Sequence, residues 1–458
     1  PALVTRRGPS LPTTAWLRAL ARRPAPVARR GPSLPPFFTT GPLPPTMSTD
    51  RKQSGFKQRT RVDDALAALR DAVDPHGRAA AVPLAEADGR TLAATLEAPA
   101  NVPSEPQAAM DGYAVQASDT FGASDRSPEI LRTVDTEPTE GSVAPGEAIR
   151  VHTGSALPEG ADAVVMIEQA DPVADEVEVF DAVAENENVA PAGEDVEEGQ
   201  QLYDPGHVLR PSDLGLLKSV GYTEVPVFEQ PEVTVIPTGD ELVQENPGPG
   251  ETIETNGLTV ARFVERWGGN ATELDPVPDD EEQLKEAIRS GLDGEIVVTS
   301  GGSSVGERDL LPEVLEDLGE IVVHGVALKP GHPFGFAVCE GTPVLMLPGY
   351  PVATIVNAVQ FLRPAIKRAM DAPLPPHPTT EARLDRKIAS EPGVRTFARV
   401  RLEERPDEPL PAAIPTRVSG SGVLSSVALA DGWVVVDEAA EGIDAGERVA
   451  VQNWEASR

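Results

Sequence analysis

One cysteine, Cys339, is all that the 458 residues contain, so no intramolecular disulfide can form and a reducing, cytoplasmic compartment is expected. It sits in an apolar run and reads as a small core residue. No apolar stretch approaches the roughly 20 residues that span a bilayer, which argues against a membrane-embedded chain. Lysine is scarce, with seven in the whole sequence, and 39 basic residues face 73 acidic ones for a net charge of −34. Such a surface repels nucleic acid and anionic lipid, so neither is expected as a partner. Acidic solvation of the whole surface, as in proteins of a salt-rich, halophilic cytoplasm, accounts for the bias without any function. An anion-binding site must then be a local positive island.

Residues 1–46 lack Asp, Glu and Lys altogether, carry seven Arg and repeat the heptapeptide "RRGPSLP". This reverses the bias of everything after Met47, and so much Pro makes a poor amphipathic leader. The segment reads as a disordered extension outside the native fold.

At this length one core does not suffice, and two to four domains are expected. In "TRVDDALAALRDAV" the spacing puts Val62, Leu66, Leu69 and Val73 on one helical face, with Asp63 and Asp64 at its positive end. This helix opens an N-terminal or linker domain over 47–98 that resumes at 201–230. Residues 99–200 show short β runs ("AIRVHTG", "ADAVVMIE", "EVEVF") broken by Gly, Pro and Asp, an inserted β-rich module. From 231 to 372 strands and helices alternate: "VTVIPTG", a helix at 258–267, a strand near 271–277, a helix at 281–292, "EIVVTS", a helix at 310–318, "EIVVHGVAL", and a long helix begun by Pro351. That alternation predicts a parallel sheet covered on both faces, a three-layer α/β module with ligands at the carboxyl ends of its strands. After the Pro-rich "DAPLPPHPTT" a small C-terminal β domain completes 373–458. The expected fold class is multidomain α/β plus β.

Four loops set acids beside turn residues: Asp111 in "AAMDGYAV", Asp195 in "APAGEDVEEG", Asp240 and Glu241 in "IPTGDEL", and Asp309 in "GGSSVGERD". Each alone is ordinary turn chemistry. Together, Asp240 and Glu241 at one strand end and Asp309 at another can face one crevice. Mg²⁺ takes one or two carboxylates plus phosphate oxygens and water, so these three acids are the candidate metal ligands. The six His are scattered, and no zinc cluster is expected. In "EIVVTSGGSSVGERD", Gly301, Gly302 and Ser303 stand where a phosphate loop would, without its Lys; backbone N–H groups can form such a nest unaided. Lys329 and His332 in "ALKPGHPFGF" make the positive island, followed in "LPGYPVAT" by a helix start at Pro348, Gly349 and Pro351 whose free N–H groups favour an anion.

The motifs "AMDGYAV", "VHTGSALPEGADAVVMIE", "AGEDVEEGQ", "PTGDEL", "SGGSSVGERD", "LKPGHPFGF" and "LPGYPVAT", in that order, resemble the molybdopterin molybdenumtransferase family, MoeA and the gephyrin E domain, from about residue 61 to the C-terminus. The resemblance implies four domains in an elongated homodimer. It implies a molybdopterin-binding α/β module whose crevice is completed by the β-rich module of the other subunit. The reaction implied is insertion of molybdate into adenylylated molybdopterin with release of AMP, assisted by Mg²⁺, with a molybdopterin adenylyltransferase as a further partner. Carried over by motif, the catalytic set is Asp111, Thr153, Asp195, Glu241, Asp279, Asp309 and Lys329, the last binding oxyanion or phosphate. Arg399 in "TFARV" and Ser425 match positions near the molybdate.

Three positions depart from the family pattern: His332 replaces the second Lys of K-P-G-K-P, Tyr350 the Asn of L-P-G-N-P, and Ala353 a following Ser. A neutral His weakens the oxyanion field at pH 7 unless a neighbouring carboxylate raises its pKa. Tungstate therefore stands beside molybdate as the oxyanion. Two other readings are an adenylyltransferase, which needs the α/β module alone, and a non-catalytic dimeric scaffold.

Overall fold

The computed structural model describes residues 59–302, 310–417 and 422–453. The extension 1–46 lies outside them. No helix among the described residues is long and apolar enough to cross a membrane.

The helix Val62–Ala72 carries Asp63 and Asp64 in its first turn and buries Val62, Ala65 and Leu69. These join Val73 in the core of the α/β module rather than a core of their own. Residues on either side of the β-rich module then meet. Strand Ala79–Pro83 pairs antiparallel with Glu224–Phe228, and Leu84, Leu92, Leu209, Leu217 and Val225 bury one another. Between them, strands Gly112–Val115, Glu129–Thr133, Glu147–Val151, Ala163–Met166, Ala170–Val173 and Glu176–Val179 form one six-stranded sheet.

The α/β module holds strands β1 (Glu232–Pro237), β2 (Asn270–Glu273), β3 (Ile296–Ser300), β4 (Gly319–His324), β5 (Gly335–Cys339) and β6 (Thr342–Leu347). Its helices are α1 (Asn256–Arg266), α2 (Glu281–Gly291), α3 (Leu311–Leu318) and α4 (Pro351–Asn357). The strand order is β2-β1-β3-β6-β5-β4. Alternate residues face opposite sides: Ile296, Val298, Leu345 and Leu347 pack with Val260 and Val264 of α1. Val297, Val344 and Met346 pack with Leu284 and Ile288 of α2 and Val314 of α3. This is the expected three-layer arrangement.

The sheet is not wholly parallel, as its strand–helix alternation had suggested. Strands β2, β1, β3 and β6 run parallel, but β5 pairs antiparallel with both β6 and β4. Glu340 and Gly341 connect β5 to β6 and both have positive φ, 51° and 94°. A two-residue hairpin turn of that kind leaves no room for a crossover helix. The helix begun by Pro351 also changes pitch, with a π turn at Ala358–Leu362 before Arg363–Ala369.

In the C-terminal domain Arg395–Glu403, Ala412–Arg417, Thr379–Leu384, Arg448–Asn453 and Gly432–Val436 pair in series, and the last pairs back to the first. The sheet closes into a five-stranded barrel, which removes exposed edges. The segment Leu328–Lys329 adds to it, parallel to Arg395 and Thr396. Cys339 is buried, and burial pushes its thiol up to about 11.

Candidate functional site

Three parallel strand ends are tied together by their own backbones. Thr238 donates its N–H to Ser300 O at 3.0 Å, and Gly301 donates to Leu347 O at 3.1 Å. The chains leaving β1, β3 and β6 are thereby held around a crevice of about 880 Å³. It opens where ligands bind in open α/β sheets. Gly301 sits at φ 120°, and a Cβ there would lie 2.2 Å from Thr238 O, so the close approach of the two loops requires glycine.

Of the predicted site residues, Glu241, Asp279, Gly301, Gly302, Pro348, Gly349 and Pro351 line this crevice. Asp240 stands behind them, its Oδ1 accepting the Asp279 N–H at 3.0 Å. Burial, then the charges of Asp240 and Glu241, hold the Asp279 carboxyl above the usual carboxylate range. Ser303 and Asp309 lie outside the described residues. Among the described residues no group of three or more His, Cys, Asp or Glu side chains is arranged to hold a metal ion by itself.

The other predicted residues lie elsewhere in the chain. Asp111 Oδ1 accepts both the N–H of Thr153, at 2.7 Å, and its hydroxyl, at 2.9 Å. Those bonds hold the exposed Asp111 carboxyl below its ordinary range. Asp195 is exposed near the end of the β-rich module. Lys329, on the C-terminal barrel's added strand, donates from Nζ to Glu391 Oε1 at 3.0 Å. His332 precedes the crevice residue Pro333. Desolvation, then the Arg59 charge, lowers its imidazole pKa, the opposite of the carboxylate-raised state that would have charged it at pH 7. The expected positive island of Lys329 and His332 is therefore not among the crevice-lining side chains. Arg399 is fully buried, on strand Arg395–Glu403 across from Trp433. Ser425 begins the short helix Ser425–Ala428, whose Val427 packs on Val352 and Ile355 of α4.

Several lining residues escaped the sequence reading. Thr238 and Ser300 line the crevice, are 3% and 2% exposed, and each leaves its hydroxyl oxygen buried without a hydrogen-bond partner among the described residues. Glu254 is buried on its wall, with Oε1 accepting the N–H of Gly257 at 2.7 Å. Asn256 donates from Nδ2 to Gly349 O at 2.8 Å. Tyr350, singled out only as a departure from a motif, lines the crevice with 64% of its surface exposed and stands beside Gly422 of the C-terminal domain. "TIETNG" carried the one available signal, an acid and an Asn at a helix start. Nothing local marks Thr238 or Ser300, because a hydroxyl at a strand end is ordinary. Among the described lining residues there is no Lys or Arg, so the crevice offers carboxylates, hydroxyls and backbone N–H groups.

Comparison with known proteins covers nearly the whole described chain. Residues 60–221 match the MoeA N-terminal region (domain I and II), 234–368 a probable molybdopterin binding domain, and 381–454 the MoeA C-terminal region (domain IV). A putative molybdopterin biosynthesis protein of Methanocaldococcus jannaschii is 37% identical over 84% of this chain and 94% of its own. The molybdopterin molybdenumtransferase of Haemophilus influenzae is 32% identical over 81% and 92%. The crystal structure of the molybdopterin biosynthesis moeA protein from Pyrococcus horikoshii superposes with a TM-score of 0.73 at 30% identity, covering 87% of this chain and all of that one. With all three regions matched in order and relatives above 30% identity aligned along most of their length, the chain belongs to the MoeA family of molybdopterin molybdenumtransferases, transferases of molybdenum cofactor biosynthesis.

Proposed function

We propose that this protein inserts molybdate, or the nearly isosteric tungstate, into adenylylated molybdopterin and releases AMP. The observation that carries the reading is the crevice at the ends of β1, β3 and β6, where orphaned hydroxyls, a glycine approach and a repelling acid cluster converge. A buried hydroxyl without a partner costs folding free energy, and a ligand, ion or water that completes its bonds would account for its presence. Thr238 and Ser300 supply two such groups, and the backbone at Gly301 and Gly302 supplies N–H donors to phosphate oxygens.

The acid cluster suits a divalent cation. Asp279 ionises reluctantly beside Asp240 and Glu241, and a cation relieves that repulsion. One or two carboxylates, short of a full cage, are how Mg²⁺ is held together with substrate phosphate and water. Glu241 and Asp279, the two acids of this cluster that line the crevice, would hold it, and Mg²⁺ would neutralise charge on the leaving AMP. Asn256 and Pro351 orient the loop that carries Gly349. Tyr350 gives the planar part of the substrate an aromatic face.

In this reading the exposed Asp111–Thr153 pair and Asp195 serve the crevice of a second copy in a homodimer. Lys329 exchanges Glu391 for the oxyanion; the pair is solvent-exposed, so the exchange costs little. An adenylyltransferase delivers the substrate. The test is to mix purified protein, adenylylated molybdopterin and Mg²⁺, with and without molybdate or tungstate, at high salt. Oxyanion-dependent release of AMP with formation of metal-bearing cofactor is expected. Transfer of the adenylyl group of ATP to molybdopterin, with release of pyrophosphate, would mark an adenylyltransferase, and no reaction at all a scaffold.

A further inference from the structure

Helix α4 carries two fully buried polar side chains one turn apart, Thr354 and Asn357. Thr354 Oγ1 donates to Pro348 O at 2.5 Å and lies 3.1 Å from Tyr350 O, which holds the crevice loop Pro348–Tyr350 to the helix that follows it. Asn357 does the same for a distant segment. Its Nδ2 donates to Ala353 O at 2.8 Å, within α4, and to Gly331 O at 3.0 Å. Gly331 stands midway between Lys329 and Pro333, a residue of the crevice wall. It sits at φ 116°, and a Cβ there would lie 2.2 Å from Asn357 Nδ2, so the turn approaches the amide this closely only as glycine.

Stability does not account for the amide. Both groups it meets are carbonyl oxygens, so the nitrogen must face them, and Oδ1 is left buried without a hydrogen-bond partner among the described residues. Such an acceptor destabilises the fold. Gly331 O has a second donor, the N–H of Phe334 at 3.2 Å, and does not depend on the amide. The residues on either side, Val356 and Ala358, belong to the apolar core, where a leucine would fill much the same space with no polar atom to satisfy. What the amide adds is a link between α4 and the 329–333 turn. The start of that turn is fixed elsewhere, since Leu328 and Lys329 pair with Arg395 and Thr396 of the C-terminal barrel. The link makes the turn follow α4 as well, whose first residue, Pro351, lines the crevice.

We propose that Asn357 is a positioning residue for the reaction: by joining Gly331 to α4 it fixes the place of Lys329 relative to the crevice. It touches no substrate and acts through the turn. The assignment rests on the proposed role of Lys329 at the oxyanion and adds the group that aims it.

The test is a double-mutant cycle on the full chain at high salt, with Asn357→Leu and Lys329→Ala alone and together, following AMP release against molybdate and against adenylylated molybdopterin. Asn357→Leu should raise the KM for molybdate about tenfold, while the KM for adenylylated molybdopterin and the thermal midpoint stay level. In the Lys329→Ala background it should cost nothing further, because the group it aims is gone. A purely structural amide would instead lower turnover by the same factor in both backgrounds and leave both KM values alone. That result, or an unchanged KM for molybdate, would overturn the proposal while the proposed reaction stands. If the unaltered protein shows no oxyanion-dependent turnover, the reaction falls and the positioning role with it. Gly331→Ala, whose methyl would meet Nδ2, should reproduce the molybdate effect and serves if Asn357→Leu does not fold. Hydrogen exchange needs no turnover: residues 325–334 should exchange faster in Asn357→Leu with β6 unchanged, and equal exchange would overturn the link itself.

Discussion

The backbone N–H of Asp279 reaches Asp240 Oδ1 at 3.0 Å, so two loops leaving different strands bring their carboxyl groups into one another's field. Asp279 is held above the carboxylate range by burial first and by Asp240 and Glu241 next. A raised folded-state pKa means that the folded chain binds more protons than the unfolded one, so stability falls as pH rises from the ordinary Asp range through the folded pKa. Asp279→Asn should flatten that fall in thermal scans from pH 3 to 6. It should also weaken Mg²⁺ binding about tenfold, or ~1.4 kcal/mol. An unchanged Mg²⁺ titration would remove Asp279 from the metal site.

Thr238→Val and Ser300→Ala delete hydroxyls that have no hydrogen-bond partner among the described residues. Their urea midpoints should hold or rise, because an unsatisfied buried polar group costs about 1–3 kcal/mol. Oxyanion-dependent AMP release should nonetheless drop at least about tenfold. A loss of stability with full turnover would show these hydroxyls to be structural.

Lys329→Ala should lower oxyanion-dependent turnover by about 10²-fold or more, the usual cost of removing one fixed donor to an oxyanion. Among the described residues its ammonium pairs only with the exposed Glu391, so thermal stability should stay level. Glu391→Gln is the control, and it should keep or improve turnover. Full turnover in Lys329→Ala would exclude Lys329 from the mechanism.

Lys367 has a folded-state pKa of about 8 against an ordinary 10.5. The folded chain therefore binds fewer protons between those values, and stability climbs as pH rises through that window. Lys367→Met should stabilise the chain at pH 7 by up to about 3 kcal/mol. The advantage should shrink above pH 8 and vanish above about 10.5. Urea midpoints at pH 7, 9 and 11 read it, and a pH-independent difference would contradict the buried ammonium.

Tyr350→Ala should raise the KM for adenylylated molybdopterin about tenfold at unchanged kcat, since a stacked aromatic contributes about 0.5–1.5 kcal/mol beyond its area. A fall in kcat alone would place the ring nearer the chemistry than the crevice wall suggests.

Much of the fold was legible because periodicity is written locally. The helices 281–292 and 310–318 were expected within a residue or so of Glu281–Gly291 and Leu311–Leu318. The antiparallel edge was not, since a two-residue "EG" between β5 and β6 is too slight a signal against a background of alternating strands and helices. At the site, glycines and acids announced Glu241 and Gly301, and the family resemblance supplied Asp279. Lys329 drew attention as a scarce cation, yet its strand belongs to the barrel and its charge meets Glu391. Strand pairing between Lys329 and Thr396, so far apart in the chain, has no local signature.

By itself the sequence determined the acidic surface, the lone buried cysteine, the order of modules and the family motifs, because charge, side-chain volume and short-range spacing belong to the chain before it folds. Only the tertiary structure decided that Thr238 and Ser300 would be left without partners and that Asp240 and Asp279 would share one field. Only it decided that Lys367, one of seven lysines in an acidic chain, would be buried. Each of these depends on which distant segments exclude water from one another, and that is a property of packing alone.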